Sequence, residues 1–174
     1  RYTRTQSNRL RLGVATLRVG DGTKTAEALQ AMSTRAAEGE RPEITLLATR
    51  EMAVLHDGAQ VSGPDAAEFF AYVDALVRRG SNRDLLIYMH GANTNFERAA
   101  AQAAQFKHFL GRDAVVMVFA WPSAGFLLRY RQDVATARRS EPVFASLLEQ
   151  LSTRTRAAHL NVLAYSAGAM IASP

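Results

Sequence analysis

Val162-Leu163-Ala164-Tyr165-Ser166-Ala167-Gly168-Ala169-Met170-Ile171-Ala172 joins an apolar run to a serine flanked, two residues away on each side, by Ala164 and Gly168. The pattern predicts a strand, a tight turn at Ser166 and a helix, the arrangement called a nucleophile elbow. A serine on such a turn is held in a strained backbone conformation. Its flanking residues must be small so that strand and helix can approach closely. Ser166 is therefore the candidate nucleophile. Only Ile171, Ala172, Ser173 and Pro174 follow Met170, and none of them is an acid or a base, so the chain is expected to be a fragment of a longer protein.

Upstream, the pattern alternates between buried strands and amphipathic helices. His159 to Ala164 is predicted as a strand, and Ala114 to Ala120 and Leu85 to Met89 as buried strands, the last a nearly continuous apolar run as expected when both faces are covered. Between the last two, Thr94 and Glu97 form a capping-box pattern. Phe96, Ala99, Ala100, Ala103, Phe106 and Leu110 then recur at helical spacing up to Gly111. Helices are predicted at 125 to 138 and 141 to 155, with Ser140 and Pro142 in N-terminal capping positions. Ser62-Gly63-Pro64-Asp65 opens another, with Phe69, Val73, Leu76 and Val77 on one face until Gly80.

The N-terminal third reads differently. Residues 9 to 19 alternate as a strand, with a change of face near Val14 and Ala15 that predicts a bulge, and Gly20-Asp21-Gly22 ends it. Thr25 to Ala37 has helical composition with Leu29 and Met32 on one side, and the segment from Gly39 to Pro42 breaks it. Ile44 to Leu55 is a second extended run, placed to pair antiparallel with the first, and His56-Asp57-Gly58 is a turn. The expected class is α/β, with antiparallel first strands followed by a parallel βαβαβ core. The expected division within one incomplete domain, 1 to 174, is a basic arm at 1 to 7, strands at 8 to 61 and the parallel core at 62 to 174.

Composition bounds the function. Of 174 residues, 48% are hydrophobic and 21% charged, which suits one globular domain. No apolar run approaches the roughly eighteen residues of a membrane-spanning helix. The chain begins at Arg1 without an apolar leader, consistent with a trimmed start, and localisation is not readable. There is no cysteine, which excludes disulfides and a thiol nucleophile. The net charge of +5 is accounted for by Arg1, Arg4, Arg9, Arg11 and Arg18, and the remainder is balanced. A basic arm could touch phosphates or acidic lipid, or be solvated charge on a chain end. Without a nucleic-acid motif, nucleic acid is not an expected partner. No metal-ligand cluster or phosphate loop is present, and no cofactor is expected.

In an open parallel sheet, ligands bind beyond the carboxyl ends of the strands. Three exits are expected on that rim: His90-Gly91-Ala92-Asn93-Thr94-Asn95, Trp121-Pro122-Ser123-Ala124-Gly125 and Ser166-Ala167-Gly168. Gly91 allows a sharp turn, so the Ala92 N–H is a candidate oxyanion donor together with that of Ala167. His90 and Gly91 read equally well as a strand-ending turn, and Asn93 as its brace. Trp121 reads as a pocket wall or, by preference, as packing that closes the core. Tyr130 and Asp133 are three apart on a helix, as a polar pair or as solvated residues. His108 lies late in a helix and His159 opens a strand, and neither is placed to be a base.

These residues resemble the α/β-hydrolase superfamily, and within it a bacterial branch of unknown function. The resemblance runs from Asn8-Arg9-Leu10-Arg11-Leu12-Gly13 through His90-Gly91-Ala92-Asn93 with Phe96, Trp121-Pro122-Ser123-Ala124-Gly125, Tyr130 and Asp133 to the Ser166 elbow. It implies an eight-stranded, mostly parallel sheet whose second strand is antiparallel, with chain order nucleophile, acid, histidine. Ser166 would attack a carboxyl ester while the amides of Ala92 and Ala167 hold the oxyanion. His90, Gly91, Asn93, Trp121 and Tyr165 are candidates for lining the site. The elbow departs from the family pattern with Ala164 for glycine and Tyr165-Ser166-Ala167 for His-Ser-Met. The implied partners are a small ester or acyl substrate and a C-terminal remainder carrying the acid and histidine. The competing reading is a binding or scaffolding module that retains the fold without the triad.

Overall fold

The computed structural model describes residues 7–22, 25, 27, 28, 30, 31, 43–57, 59–110, 114–123 and 130–173, without the side chains of residues 109 and 130. Most of the expected helix at 25 to 37, the break at 39 to 42, residues 1 to 6 of the basic arm, and Ala124 and Gly125 lie outside the described residues.

Strands β1 (Arg9–Val19) and β2 (Ile44–His56) pair antiparallel from Arg9 opposite His56 to Val19 opposite Ile44. The register shifts between Leu12 and Gly13 and again between Thr16 and Leu17, on either side of the predicted change of face. A short strand, β3 (Ala59–Ser62), folds back on β2 after the turn at Asp57 and gives the order β1-β2-β3. Only one end of this ribbon enters the core, through Leu10, Leu12, Met52, Ala53 and Leu55. On the other end, β1 and β2 carry exposed and half-buried side chains.

The second sheet contains β4 (Asp84–Met89), β5 (Val115–Phe119) and β6 (His159–Ala164), parallel and in the order β5-β4-β6. The central strand is covered on both faces. Leu85, Ile87 and Met89 join the main core, while Tyr88 turns to the opposite side, where it packs on Phe106 and donates to Gln102 Oε1 at 2.9 Å. This alternation is what a continuous apolar run requires when helices lie on both sides. Strand β6 is an edge, with Val162 and Leu163 exposed. The two sheets share one hydrophobic core. Among the described residues they are not joined into the single sheet that the resemblance implied, and β3 takes part of the second edge of β2, at Val54 to His56.

Helix α1 (Ala66–Val77) is capped by Asp65, whose carboxylate accepts from Ala67 N–H at 2.7 Å, and buries Phe69, Phe70, Val73 and Val77. Helix α2 (Phe96–Phe109) begins one residue later than the capping box predicted. Its cap is Asn95, whose Oδ1 accepts from Arg98 N–H at 2.9 Å. Thr94 is unavailable for that role because its hydroxyl turns back to the Ala92 carbonyl at 3.4 Å and its N–H is donated to Ser123.

Helix α3 (Tyr130–Arg154) is a second correction, being one continuous helix through Pro142 instead of two. Asp133, Ala137, Ser140, Phe144, Leu147 and Leu151 form a buried stripe at alternating spacings of three and four that runs past the proline. Ser140 does not cap a new helix. Its hydroxyl bonds the Thr136 carbonyl one turn earlier at 2.9 Å. Interior proline costs about 3 kcal/mol, and burying a Phe or Leu returns about 1.5–3 kcal/mol each. Phe144, Leu147 and Leu151 together outweigh the break. After β6, a 3-10 turn (Ser166–Gly168) leads into α4 (Ala169–Ala172), which anchors Ile171 in the core.

Candidate active site

The three strands end level. Met89 lies opposite both Phe119 and Ala164, and Tyr165 N–H extends the ladder by one bond to the Met89 carbonyl at 3.0 Å. The chain then reverses at Ser166, whose φ of +52° places a non-glycine residue in the left-handed region. An L-residue there costs on the order of 1–2 kcal/mol. Gly168 shows why the flank must be small: a Cβ on it would lie 3.2 Å from Met89 Cβ and 2.5 Å from the His90 carbonyl oxygen. Gly91 brings the second motif against the first. A Cβ there would lie 3.1 Å from Ser166 Cβ and 3.0 Å from the Tyr165 ring. Ser166 is exposed at this junction, and Tyr165 beside it is 67% exposed.

The loop from His90 to Asn95 is fixed from behind. The His90 ring is 1% exposed and stacks on Trp121 with centroids 5.1 Å apart and planes 6° from parallel. Trp121 Nε1 donates to the His90 carbonyl at 2.7 Å. His90 Nδ1 lies 2.8 Å from the Gly91 carbonyl and donates to it in the matching tautomer. Burial pushes the imidazole below its usual pKa, against backbone hydrogen bonds to Gly91 and Trp121 and the charge of Asp133. A neutral ring held in this way is a structural plug. Trp121 is likewise packing, at 3% exposed.

Asn93 takes a φ of +57° and donates its N–H to Asp133 Oδ2 at 3.3 Å. Ser123 Oγ donates to the same oxygen at 3.0 Å and accepts from Thr94 N–H at 3.3 Å. Two consecutive loop amides are thus turned into the protein. Among the described residues, the hydrogen bonds of the loops and turns include none donated by the amides of Ala92 and Ala167. Ala167 is buried and Ala92 half-buried. The backbone amides are what this turn can offer a negative charge.

Ser166, Gly91, Tyr165 and the loop bearing Ala92 and Asn93 are therefore brought together, with His90 and Trp121 behind them. Asp133 and Ser123 have a larger part than the spacing of Tyr130 and Asp133 suggested. The available signal was the α3 stripe, on which Asp133 occupies a core position as a charged residue. His159 and Asp84 form a pair at 2.8 Å that resembles a catalytic dyad. It sits at the amino ends of β6 and β4, about 17 Å along the strand from the carboxyl end of β6 that leads into the elbow. His56, the last residue of β2, lies 3.5 Å from Asp57. Among the described residues no three potential metal ligands cluster, and no helix is long and apolar enough to cross a membrane. A groove of about 550 Å³ runs between Asn8, Leu10 and Leu55 on one side and Arg139, Pro142 and Val143 on the other, with no residue of the rim in its lining.

The family model described as alpha/beta hydrolase of unknown function (DUF900) matches residues 65–174, from the cap of α1 through the parallel sheet to the elbow. The chain belongs to this α/β-hydrolase family. No curated protein and no solved structure gives a significant match. The match spans all three rim motifs and leaves the β1–β3 ribbon outside it.

Proposed function

We propose that this α/β-hydrolase domain is a serine hydrolase of carboxyl esters, with Ser166 as nucleophile and the amides of Ala92 and Ala167 as oxyanion donors. The observation that carries the reading is the left-handed Ser166, exposed on the elbow with the Gly91 turn against its Cβ. Ser166 Oγ adds to the carbonyl carbon, and the carbonyl π pair moves onto oxygen, where the two amides receive it. Collapse expels the alcohol and leaves an acyl-serine that water then cleaves. Removing one such donor typically lowers kcat about 10²–10³-fold.

The base that takes the Ser166 proton and returns it to the leaving alkoxide, and the acid that orients that base, lie, on this proposal, in sequence following Pro174. The exposed edge of β6, with Val162 and Leu163, is the surface such a segment would cover. Residues 1 to 174 alone are expected to show no turnover. The test is labelling by a fluorophosphonate probe of the protein carrying its natural downstream sequence. Mass spectrometry should find the adduct on the peptide containing Ser166, and Ser166→Ala should abolish it. Equal labelling of the two proteins, or none in either, rejects the nucleophile. A binding module that keeps the fold without the triad is the competing reading. It predicts no adduct and a downstream sequence without a histidine and an Asp or Glu at strand ends.

A further inference from the structure

Asp133 is a carboxylate at 1% exposure at the head of the core stripe of α3, which continues through Ala137, Ser140, Phe144, Leu147 and Leu151. Burying a charge there is costly unless hydrogen bonds compensate it. The compensation comes from the His90–Asn95 loop and the Trp121–Ser123 exit, forty and ten residues distant in sequence. Oδ2 accepts from Asn93 N–H and from Ser123 Oγ, and the same hydroxyl accepts from Thr94 N–H. One carboxylate oxygen thereby joins two of the three rim exits and holds Asn93 in its left-handed conformation. Ala92, immediately before these two anchored residues, donates none of the loop and turn hydrogen bonds among the described residues.

We propose that Asp133, with Ser123, is a positioning residue for oxyanion stabilisation. By fixing the amides of Asn93 and Thr94 inward, it sets the backbone orientation in which Ala92 N–H meets the developing oxyanion. This rests on the serine-hydrolase reading of the same site. It differs from a plain stability role because its loss acts on the transition state and on two named amides.

The experiment combines amide exchange by NMR with kinetics on the protein with its natural downstream sequence. In Asp133→Ala, exchange at Asn93 and Thr94 should accelerate at least about tenfold, as expected when a protecting bond is lost, while the β4 amides stay unchanged. In the same variant kcat should fall at least about tenfold with KM within about twofold, and affinity for a boronic acid transition-state analogue should fall in parallel with kcat/KM. Asp133→Asn, which retains an oxygen acceptor, should recover most of the rate. Unchanged exchange at both amides, or a rise in KM with kcat intact, overturns the proposal. If Asp133→Ala does not fold, Ser123→Ala decides. It should accelerate exchange at Thr94 and lower kcat, and no change in either overturns the proposal. Absence of a Ser166 adduct in the unmutated protein would defeat the hydrolase reading instead, leaving the exchange result to stand by itself.

Discussion

Ser166 carries the conformational cost of a left-handed backbone, which a reactive position on the elbow would account for. Alanine at position 166 would keep a Cβ in the left-handed region, whereas glycine would release it. In ordinary helix or strand interiors, Gly is less stable than Ala by roughly 0.5–1 kcal/mol. Here the order should invert, with Ser166→Gly about 1 kcal/mol more stable than Ser166→Ala in denaturant unfolding and neither able to form the probe adduct. A more stable alanine variant would mean that the turn is unstrained. The same scale explains the role of His90. Its ring is stacked on Trp121 and bonded to its own loop, and burial lowers its pKa, so it braces the loop beside Ser166.

At the scale of elements, α3 shows packing prevailing over local propensity. Pro142 is exposed while the stripe on the buried face continues past it. Replacing an exposed interior proline by alanine restores a backbone N–H toward the Arg138 carbonyl and removes the ring clash. Pro142→Ala should therefore stabilise the fold, by about 1–3 kcal/mol in urea unfolding. A loss of stability would show that the helix is bent by design around the proline. Helix α2 makes the complementary point: Thr94 and Glu97 spell a capping box, but tertiary bonds claim Thr94 and the cap passes to Asn95. The helix was legible from its periodicity, and its first residue was not.

For the whole molecule, burial is uneven. The ribbon is embedded at Leu10 to Leu12 and Met52 to Leu55 and largely uncovered from Val14 to Val19 and Ile44 to Arg50, although one ladder runs through both halves. A two-stranded ribbon without a packed face is marginal in water. Amides of the outer half should therefore exchange about tenfold or more faster than their counterparts in the embedded half, as read by hydrogen exchange. Equal protection along both strands would show that another surface covers the ribbon. The parallel sheet, by contrast, unites α1, α3 and the ribbon around one core, and the rim inherits its rigidity from that packing.

The sequence by itself determined what depends on neighbours along the chain. Apolar runs marked β4 and β5, the extended segment before the elbow marked β6, helical spacing marked α1 and α2, and the small-x-Ser-x-Gly pattern marked the turn at Ser166, because strand period, helix period and turn sterics are local properties. Only the tertiary structure decided the order β5-β4-β6, the continuity of α3 through Pro142, and the meeting of Asp133 with Asn93 and Ser123. Each of these joins residues far apart in the chain, and their energy comes from burial and hydrogen bonds that exist only after the intervening segments have packed. A buried carboxylate and a solvated one are the same letter until the core around it has formed.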